Sequence, residues 1–200
     1  MTTKAEVVHH TTRFLMNPAN LITAARIAAS PLLFWAILAS EDSLGTSWLA
    51  FVLGWTFGAS DFLDGYLARR FNWISRSGAF LDPLADKIVV LGSMFALVAV
   101  NRYWWLPVGL IAVRELVITI FRTYWVREGL AVPARKLGKY KSFIQGLAIV
   151  AAVYPLWETS TFIVDLLLWV SVGFTLYSGA LYLFDGSAAT RTGSELRAKK

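Results

Sequence analysis

Four aspartates with helical spacing are the residues of this chain best suited to chemistry. Asp61 and Asp64 are three residues apart and Asp82 and Asp86 are four apart, so each pair would share one face of a helix. A short basic segment joins the two pairs, which predicts neighbouring antiparallel helices with all four carboxylates in one cleft. Carboxylate oxygens suit Mg²⁺ or Mn²⁺, and two such ions about 3.5–4 Å apart form the clamp used in phosphoryl chemistry.

A structural alternative is that these carboxylates only form ion pairs that stabilise a helix hairpin. Against it, four clustered anions repel one another, and an ionised aspartate at the centre of a bilayer costs about 2.5–3.5 kcal/mol. Few bases lie close in sequence, and divalent cations would compensate the charge better than these do. The nearby bases are Arg69, Arg70, Arg76 and Lys87.

The elements that would position the aspartates are strongly apolar. Hydrophobic residues make up 56% of the 200 residues and the mean hydropathy is +0.55, whereas soluble domains are about 45–50% apolar. A bilayer core needs about 20 apolar residues per helix. Six stretches come close to this length: 20–39, 47–68, 78–100, 104–126, 141–157 and 161–184.

The predicted fold class is therefore all-α, an integral membrane protein with six transmembrane helices. Residues 5–16 are expected to form an N-terminal interfacial helix within a cytoplasmic segment, 1–19. The membrane catalytic domain would span 20–185, and 186–200 would be a polar cytoplasmic tail. The chain has no cysteine, which excludes disulfides and thiolate metal sites.

Charge predicts the orientation of the helices. The loops after the first, third and fifth spans hold almost no Lys or Arg, whereas both termini and the other loops are basic. By the positive-inside rule the termini and the aspartate cleft face the cytoplasm. The net charge of +6 then reflects membrane topology, so no nucleic-acid partner is expected.

One extended pattern, D-x2-D-G-x2-A-R-x8-G-x3-D-x3-D, resembles the signature of the CDP-alcohol phosphatidyltransferase family. Eight residues fill it: Asp61, Asp64, Gly65, Ala68, Arg69, Gly78, Asp82 and Asp86. The resemblance covers nearly the whole chain. It implies CDP-diacylglycerol as the phosphatidyl donor, two divalent ions per active site and a homodimer.

The resemblance also implies roles for individual residues. Asp61, Asp64 and Asp82 would be metal ligands, and Asp86 would serve both as a ligand and as the general base for the acceptor hydroxyl. Asn20 and Thr23 would reach the nucleotide, although both could instead cap and anchor the first helix. The CDP group would be bordered by Gly65, Ala68, Arg69 and Gly78.

Basic residues of the fourth and fifth spans indicate the acceptor. Arg114 and Arg122 lie in RELVITIFR, and Lys139 and Lys141 lie in GKYKSFIQ. These stretches resemble the bacterial phosphatidylglycerophosphate synthases, whose acceptor is sn-glycerol 3-phosphate, which implies an enzyme of the bacterial cytoplasmic membrane. Intramembrane arginines are candidate functional residues, and four cations would suit a phosphate dianion. The alternatives are that Arg122 snorkels to the interface, that Arg114 pairs with the neighbouring Glu115 or another acid, and that the lysines are ordinary cytoplasmic-loop charges.

Other functions stay open from sequence alone. The same chemistry could use inositol phosphate as acceptor, or phosphatidylglycerol as in a cardiolipin synthase. A membrane prenyltransferase also uses Asp-rich helices with Mg²⁺, but it would need more spans and another Asp spacing. A small cation transporter would be expected to spread its acids across the membrane depth, whereas these four lie at one depth.

Overall fold

A computed structural model describes the backbone of residues 18–70, 78–127 and 137–198, and the side chains of 21–60, 83–125 and 140–184. Within these ranges the chain is all-α and contains no strand. Two short 3₁₀ helices lie in loops, at Glu41–Ser43 and Pro155–Trp157. The α-helices are α1 (Pro18–Leu38), α2 (Trp48–Arg70), α3 (Gly78–Ala99), α4 (Trp105–Arg127), α5 (Leu137–Ala152) and α6 (Thr161–Ala198).

The six predicted apolar stretches correspond to these six helices, with two differences at helix ends. Helix α5 stops at Ala152 because Pro155, which cannot continue a helix, begins the second 3₁₀ turn. Helix α6 continues through the polar segment predicted as a tail and ends at Ala198. No proline interrupts residues 185–198, and several of them favour helix.

Helices α1 and α3 form the most extensive packing contact of the bundle. Gly92 on α3 makes it possible, since a Cβ atom there would lie 2.2 Å from Cζ of Phe34 on α1. Small residues let helix backbones approach closely when lipid supplies no hydrophobic drive. Fully buried side chains continue this contact into the core, among them Leu33, Ile37, Met94 and Leu97.

Proline at position 31 lies inside α1, where it lacks the N–H that would bond the carbonyl of Ile27. The hydroxyl of Ser30 donates to that carbonyl oxygen at 2.8 Å. A neighbouring side chain thus donates a hydrogen bond to a backbone carbonyl that would otherwise have no partner in an apolar environment. The helix continues past the proline to Leu38.

Arg102 stabilises the end of the bundle opposite the aspartates through hydrogen bonds to the backbone. It is buried in the α3–α4 loop and donates to three backbone carbonyls: those of Ala152 at 3.2 Å, Glu158 at 2.6 Å, and Trp157. Burial lowers the pKa of the Arg102 guanidinium. The next residue, Tyr103, donates to the carbonyl of Ala148 at 2.8 Å, and its burial raises the pKa of the phenol far above its usual range. Both residues hold the α3–α4 loop against α5.

The outer surface of the bundle is apolar. Among the described helices, Leu21–Leu38 and Thr161–Phe184 are long and apolar enough to cross a bilayer, and Trp48–Ser60 is a shorter apolar segment. Large exposed side chains also occur on other helices, such as Val113 and Phe143. Such a surface is typical of a protein that faces lipid. The predicted interfacial helix over 5–16 lies outside the described residues.

Candidate functional site

The backbone places the four aspartates on the two helices predicted for them. Asp61 and Asp64 lie near the end of α2, and Asp82 and Asp86 lie near the start of α3. Of these side chains only that of Asp86 belongs to the described residues. It is partly buried, and its Oδ2 atom accepts a hydrogen bond from the Ser142 hydroxyl of α5 at 3.4 Å.

Glu115 on α4 forms ion pairs with two of the predicted acceptor-binding residues, Arg114 and Lys141. Its Oε1 atom accepts from Lys141 Nζ at 2.6 Å and from Arg114 Nη1 at 2.9 Å. The Glu115 and Lys141 side chains are each 8% exposed and that of Arg114 is 12% exposed. Both ion pairs are therefore largely desolvated, and removing Glu115 would leave two buried cations without the carboxylate that pairs with them.

Arg114 is held from a second side by α6. Its Nη2 atom donates to the Ser178 hydroxyl at 2.9 Å. Its Nε atom is buried and finds no hydrogen-bond partner among the described residues. Gly179 lies directly beside the guanidinium, and the missing side chain there leaves the space that Arg114 occupies.

Lys87 directly follows Asp86 and turns toward α4, where its ammonium donates to the Thr119 hydroxyl. Thr119 in turn donates to the backbone carbonyl of Glu115 at 2.6 Å. The charged groups that act on the Lys87 ammonium belong to Glu115, Lys141, Arg122 and Asp86. Lys87 therefore lies between the candidate base and the ion pairs of Glu115.

The remaining predicted site residues fall into two groups. Arg122 is exposed near the end of α4, and Thr23 is buried in α1. The side chains of the other six lie outside the described residues: Asn20, Gly65, Ala68, Arg69, Gly78 and Lys139. The structure thus joins Arg114 and Lys141 through Glu115 and places Arg122 on the surface of the same helix.

The sequence profile of the CDP-alcohol phosphatidyltransferase family matches residues 16–177. The chain belongs to this family. It is accordingly a transferase, as the aspartate signature predicted. The matched range includes the aspartates on α2 and α3, Arg114 and Lys141 on α4 and α5, and the first part of α6.

Curated phosphatidyltransferases resemble this chain over most of its length. The CDP-diacylglycerol–glycerol-3-phosphate 3-phosphatidyltransferase of Bacillus subtilis is 33% identical, over 89% of this chain and 99% of the relative. A Rickettsia bellii protein of the same name is 31% identical, over 83% and 93% respectively. A probable phosphatidylglycerophosphate synthase of Mycobacterium tuberculosis is 35% identical, over 71% and 68%.

Of the four expected metal ligands of this phosphatidyltransferase, Asp86 is the one whose side chain belongs to the described residues. No three His, Cys, Asp or Glu side chains come together within the described part of the chain. Three of the four predicted ligands lie outside that part, so the set of four aspartates stays a prediction. Asp86 fits it, because its partly buried carboxylate supplies the hard oxygen atoms that Mg²⁺ and Mn²⁺ prefer.

Two partner residues in this phosphatidyltransferase escape the sequence prediction: Thr119 and Ser142. Glu115 is predicted only as an alternative partner of Arg114, and the structure shows that ion pair. Its contact with Lys141, which joins two different helices, is not predicted. Hydroxyl residues within a helix usually bond the preceding turn, as Thr119 does.

Proposed function

We propose that the chain transfers the phosphatidyl group of CDP-diacylglycerol to sn-glycerol 3-phosphate, forming phosphatidylglycerophosphate and CMP in phospholipid biosynthesis. The names of the Bacillus and Rickettsia relatives, which match over most of both chains, support this donor and acceptor. The observation that carries the acceptor choice is the cationic cluster beside Asp86, formed by Lys87, Arg114 and Lys141 around Glu115.

The charge of this cluster favours a phosphorylated acceptor. Arg114 and Lys141 share the single carboxylate of Glu115, so this buried group carries an excess of positive charge, and the Lys87 ammonium interacts electrostatically with both Glu115 and Asp86. Buried charge is costly unless it is paired, and a phosphate dianion would pair it. The buried Nε donor of Arg114 is a further group that a phosphate oxygen would satisfy.

The chemistry follows from the position of Asp86. A primary hydroxyl of the acceptor attacks the phosphorus of the phosphatidyl group and forms a new P–O bond. The hydroxyl proton passes to the Asp86 carboxylate, acting as general base. The bond from that phosphorus to the bridging pyrophosphate oxygen breaks, and CMP leaves with the electron pair. Ser142 orients the Asp86 carboxylate for this proton transfer.

The family generally depends on divalent metal. In this chain two Mg²⁺ or Mn²⁺ ions would be held by Asp61, Asp64, Asp82 and Asp86. When bound, they would neutralise the pyrophosphate and stabilise the leaving CMP. The nucleotide would be bound by residues near these ions: Asn20, Thr23, Gly65, Ala68, Arg69 and Gly78. The acceptor phosphate would be bound by four basic residues: Arg114, Arg122, Lys139 and Lys141.

An acceptor assay tests the proposed function. Purified protein in detergent would receive CDP-diacylglycerol, Mg²⁺ or Mn²⁺, and one acceptor at a time. We expect CMP release with sn-glycerol 3-phosphate and little with inositol phosphate or phosphatidylglycerol. Release with either of those and not with glycerol 3-phosphate would overturn the acceptor, and no release with any acceptor would overturn the enzymatic proposal.

The membrane topology is a second part of the proposal. All six helices span the bacterial cytoplasmic membrane, with both termini and the active site on the cytoplasmic side. Because the chain has no cysteine, single cysteines report its orientation without background. We expect a cysteine at Ser160 to react with a membrane-impermeant maleimide on intact cells or spheroplasts, and one at Ser187 to react only after lysis. The reverse labelling pattern would overturn the orientation.

The homodimer that the family resemblance implies also stays a proposal. Helix α4 has an exposed apolar face, formed by Val113, Leu116 and Ile120, which is available to a second copy or to lipid. Cross-linking from cysteines on this face distinguishes the two. Specific disulfide-linked dimers are expected from position 116, and their absence along the whole face would place the interface elsewhere.

A further inference from the structure

Helices α3 and α5 each contain two consecutive residues whose side-chain contacts follow the same arrangement. Asp86–Lys87 lies on α3 and Lys141–Ser142 lies on α5. In each pair the lysine reaches α4, Lys87 to Thr119 and Lys141 to Glu115. The other members of the two pairs, Asp86 and Ser142, meet each other.

The contact between Glu115 and Lys141 therefore fixes the rotation of α5. Successive residues of an α-helix point about 100° apart, because 3.6 residues complete a turn. Holding Lys141 against α4 at 2.6 Å thus sets the direction in which Ser142 points. That direction is toward Asp86 on α3, with 3.4 Å between the two side-chain oxygens.

The same turn of α4 also restrains the residue after Asp86. Thr119 lies one turn beyond Glu115, donates to the Glu115 carbonyl and accepts the Lys87 ammonium. Lys87 is thereby held on the α4 side of α3. The candidate base lies between two contacts that start from a single turn of α4.

We propose that Glu115 is a positioning residue of the active site, which orients the Asp86 carboxylate through Lys141 and Ser142 without touching either substrate. The inference rests on the proposed function, since it assumes that Asp86 is the general base. The Ser142–Asp86 distance of 3.4 Å exceeds that of a strong O–H···O bond. Catalytic hydrogen bonds are often long without substrate and shorten in the reactive complex.

Burial explains why the Glu115 carboxylate can hold the Lys141 ammonium in one position. Glu115 is only 7% exposed, and a buried ion pair is directional because both partners have lost their water. A surface pair would let Lys141 swing freely, whereas this pair holds its ammonium at one place. Arg114, on the same Oε1 atom, restricts the carboxylate from the other side.

The test is the steady-state kinetics of Glu115→Gln, which keeps the shape of the side chain and removes its charge. We expect kcat to fall about tenfold or more, as misplacing a reacting group does, with the KM of CDP-diacylglycerol unchanged. Ser142→Ala should lower kcat in the same direction with normal stability, because it removes the contact with Asp86 and leaves the Glu115 ion pairs intact. Gln145→Met is the matched control: Gln145 is buried one turn further along α5 and bonds Thr175, so kcat should be retained.

A double variant shows whether Glu115 acts through Lys141. If it does, Glu115→Gln combined with Lys141→Met should be no slower than the slower single variant, since coupled residues are not additive. Fully additive losses, or a wild-type kcat in both Glu115→Gln and Ser142→Ala, would overturn the inference. A change confined to the KM of the acceptor would also overturn it, by making Glu115 part of the phosphate pocket.

The inference and the proposed function fail in different ways. Wild-type protein that releases CMP only with another acceptor contradicts glycerol 3-phosphate, and the kcat comparison is then made with that acceptor. Wild-type protein inactive with every acceptor contradicts the function and with it the role of Glu115. An active wild type combined with any of the three contradicting outcomes above, equal kcat in Glu115→Gln and Ser142→Ala, additive losses, or a change confined to the acceptor KM, contradicts the inference alone.

Discussion

Gly179 on α6 lies directly against the guanidinium of Arg114 on α4: a Cβ atom at position 179 would stand 2.7 Å from Arg114 Nε and 3.1 Å from Cγ. Arg114 has little freedom to retreat, because Glu115 and Ser178 hold its two terminal nitrogens. The absence of a side chain at one position of α6 thus determines where a buried cation of α4 lies.

Replacing Gly179 by alanine should therefore disturb the acceptor site. Any added methyl group forces Arg114 to move and lengthens its contact with Glu115. We expect the KM of glycerol 3-phosphate to rise several-fold, within the about tenfold that a shift of 1.4 kcal/mol represents. Gly173→Ala on the same helix is the control, since nothing lies within 4 Å of a Cβ there. Equal KM values in the two variants would contradict the prediction.

Asp86→Asn should abolish turnover while the protein remains folded. The amide cannot accept the proton of the acceptor hydroxyl, although its oxygen can still receive the Ser142 hydrogen bond. CMP release and thermal unfolding would be measured on the same preparation. Retention of wild-type rates would refute Asp86 as the general base, and binding of Mn²⁺ followed by paramagnetic resonance separates the loss of the base from the loss of metal.

Thr119→Val tests the position of the Lys87 ammonium. Valine has nearly the shape of threonine but cannot accept the Lys87 hydrogen bond. Without this hydrogen bond the Lys87 ammonium would move toward nearby carboxylates. We therefore expect weaker acceptor binding, measured as a several-fold higher KM of the acceptor. The matched control is Thr123→Val, one turn along the same helix, where the hydroxyl bonds only the preceding turn in the described contacts. An unchanged acceptor KM in Thr119→Val would show that Lys87 does not meet the acceptor.

Arg102→Met should destabilise the fold without altering the chemistry. It removes a charged donor from three carbonyls at the end of the bundle away from Asp86. Hydrogen bonds to charged groups contribute about 1.5–3 kcal/mol each in favourable cases, and the loss should lower the Tm by several degrees. Thermal unfolding in detergent measures it, with kcat per folded protein as the control. A lower kcat at full stability would link this end of the bundle to catalysis.

Much of this architecture is predictable because it depends on local sequence. Apolar length locates the helices, and the spacing of Asp61, Asp64, Asp82 and Asp86 is sufficient to assign these residues to two helices that are consecutive in the sequence, which are α2 and α3. The helix ends are less predictable. Pro155 shortens α5, whereas α6 extends over polar residues that carry no strong helix-breaking signal.

Glu115 is an alternative partner that the sequence suggests for Arg114, but the partner of Lys141 is not predictable in this way, because it depends on helix rotation. Charge and place in the sequence assign Arg114 and Lys141 to the acceptor phosphate. In the fold both also contact Glu115, and Lys141 reaches it from 26 residues away on another helix. A contact of this kind depends on which faces of α4 and α5 meet, and apolar length does not determine that.

The contacts of Arg102 imply an order for biosynthesis. The guanidinium is synthesised 50 residues before the Ala152 carbonyl and still earlier relative to those of Trp157 and Glu158. A nascent chain that has inserted only its first four helices therefore carries a cation that lacks these acceptors. Residues 152–158, at the end of α5 and in the turn before α6, supply them, so the contacts of Arg102 form only after this part of the chain has been synthesised.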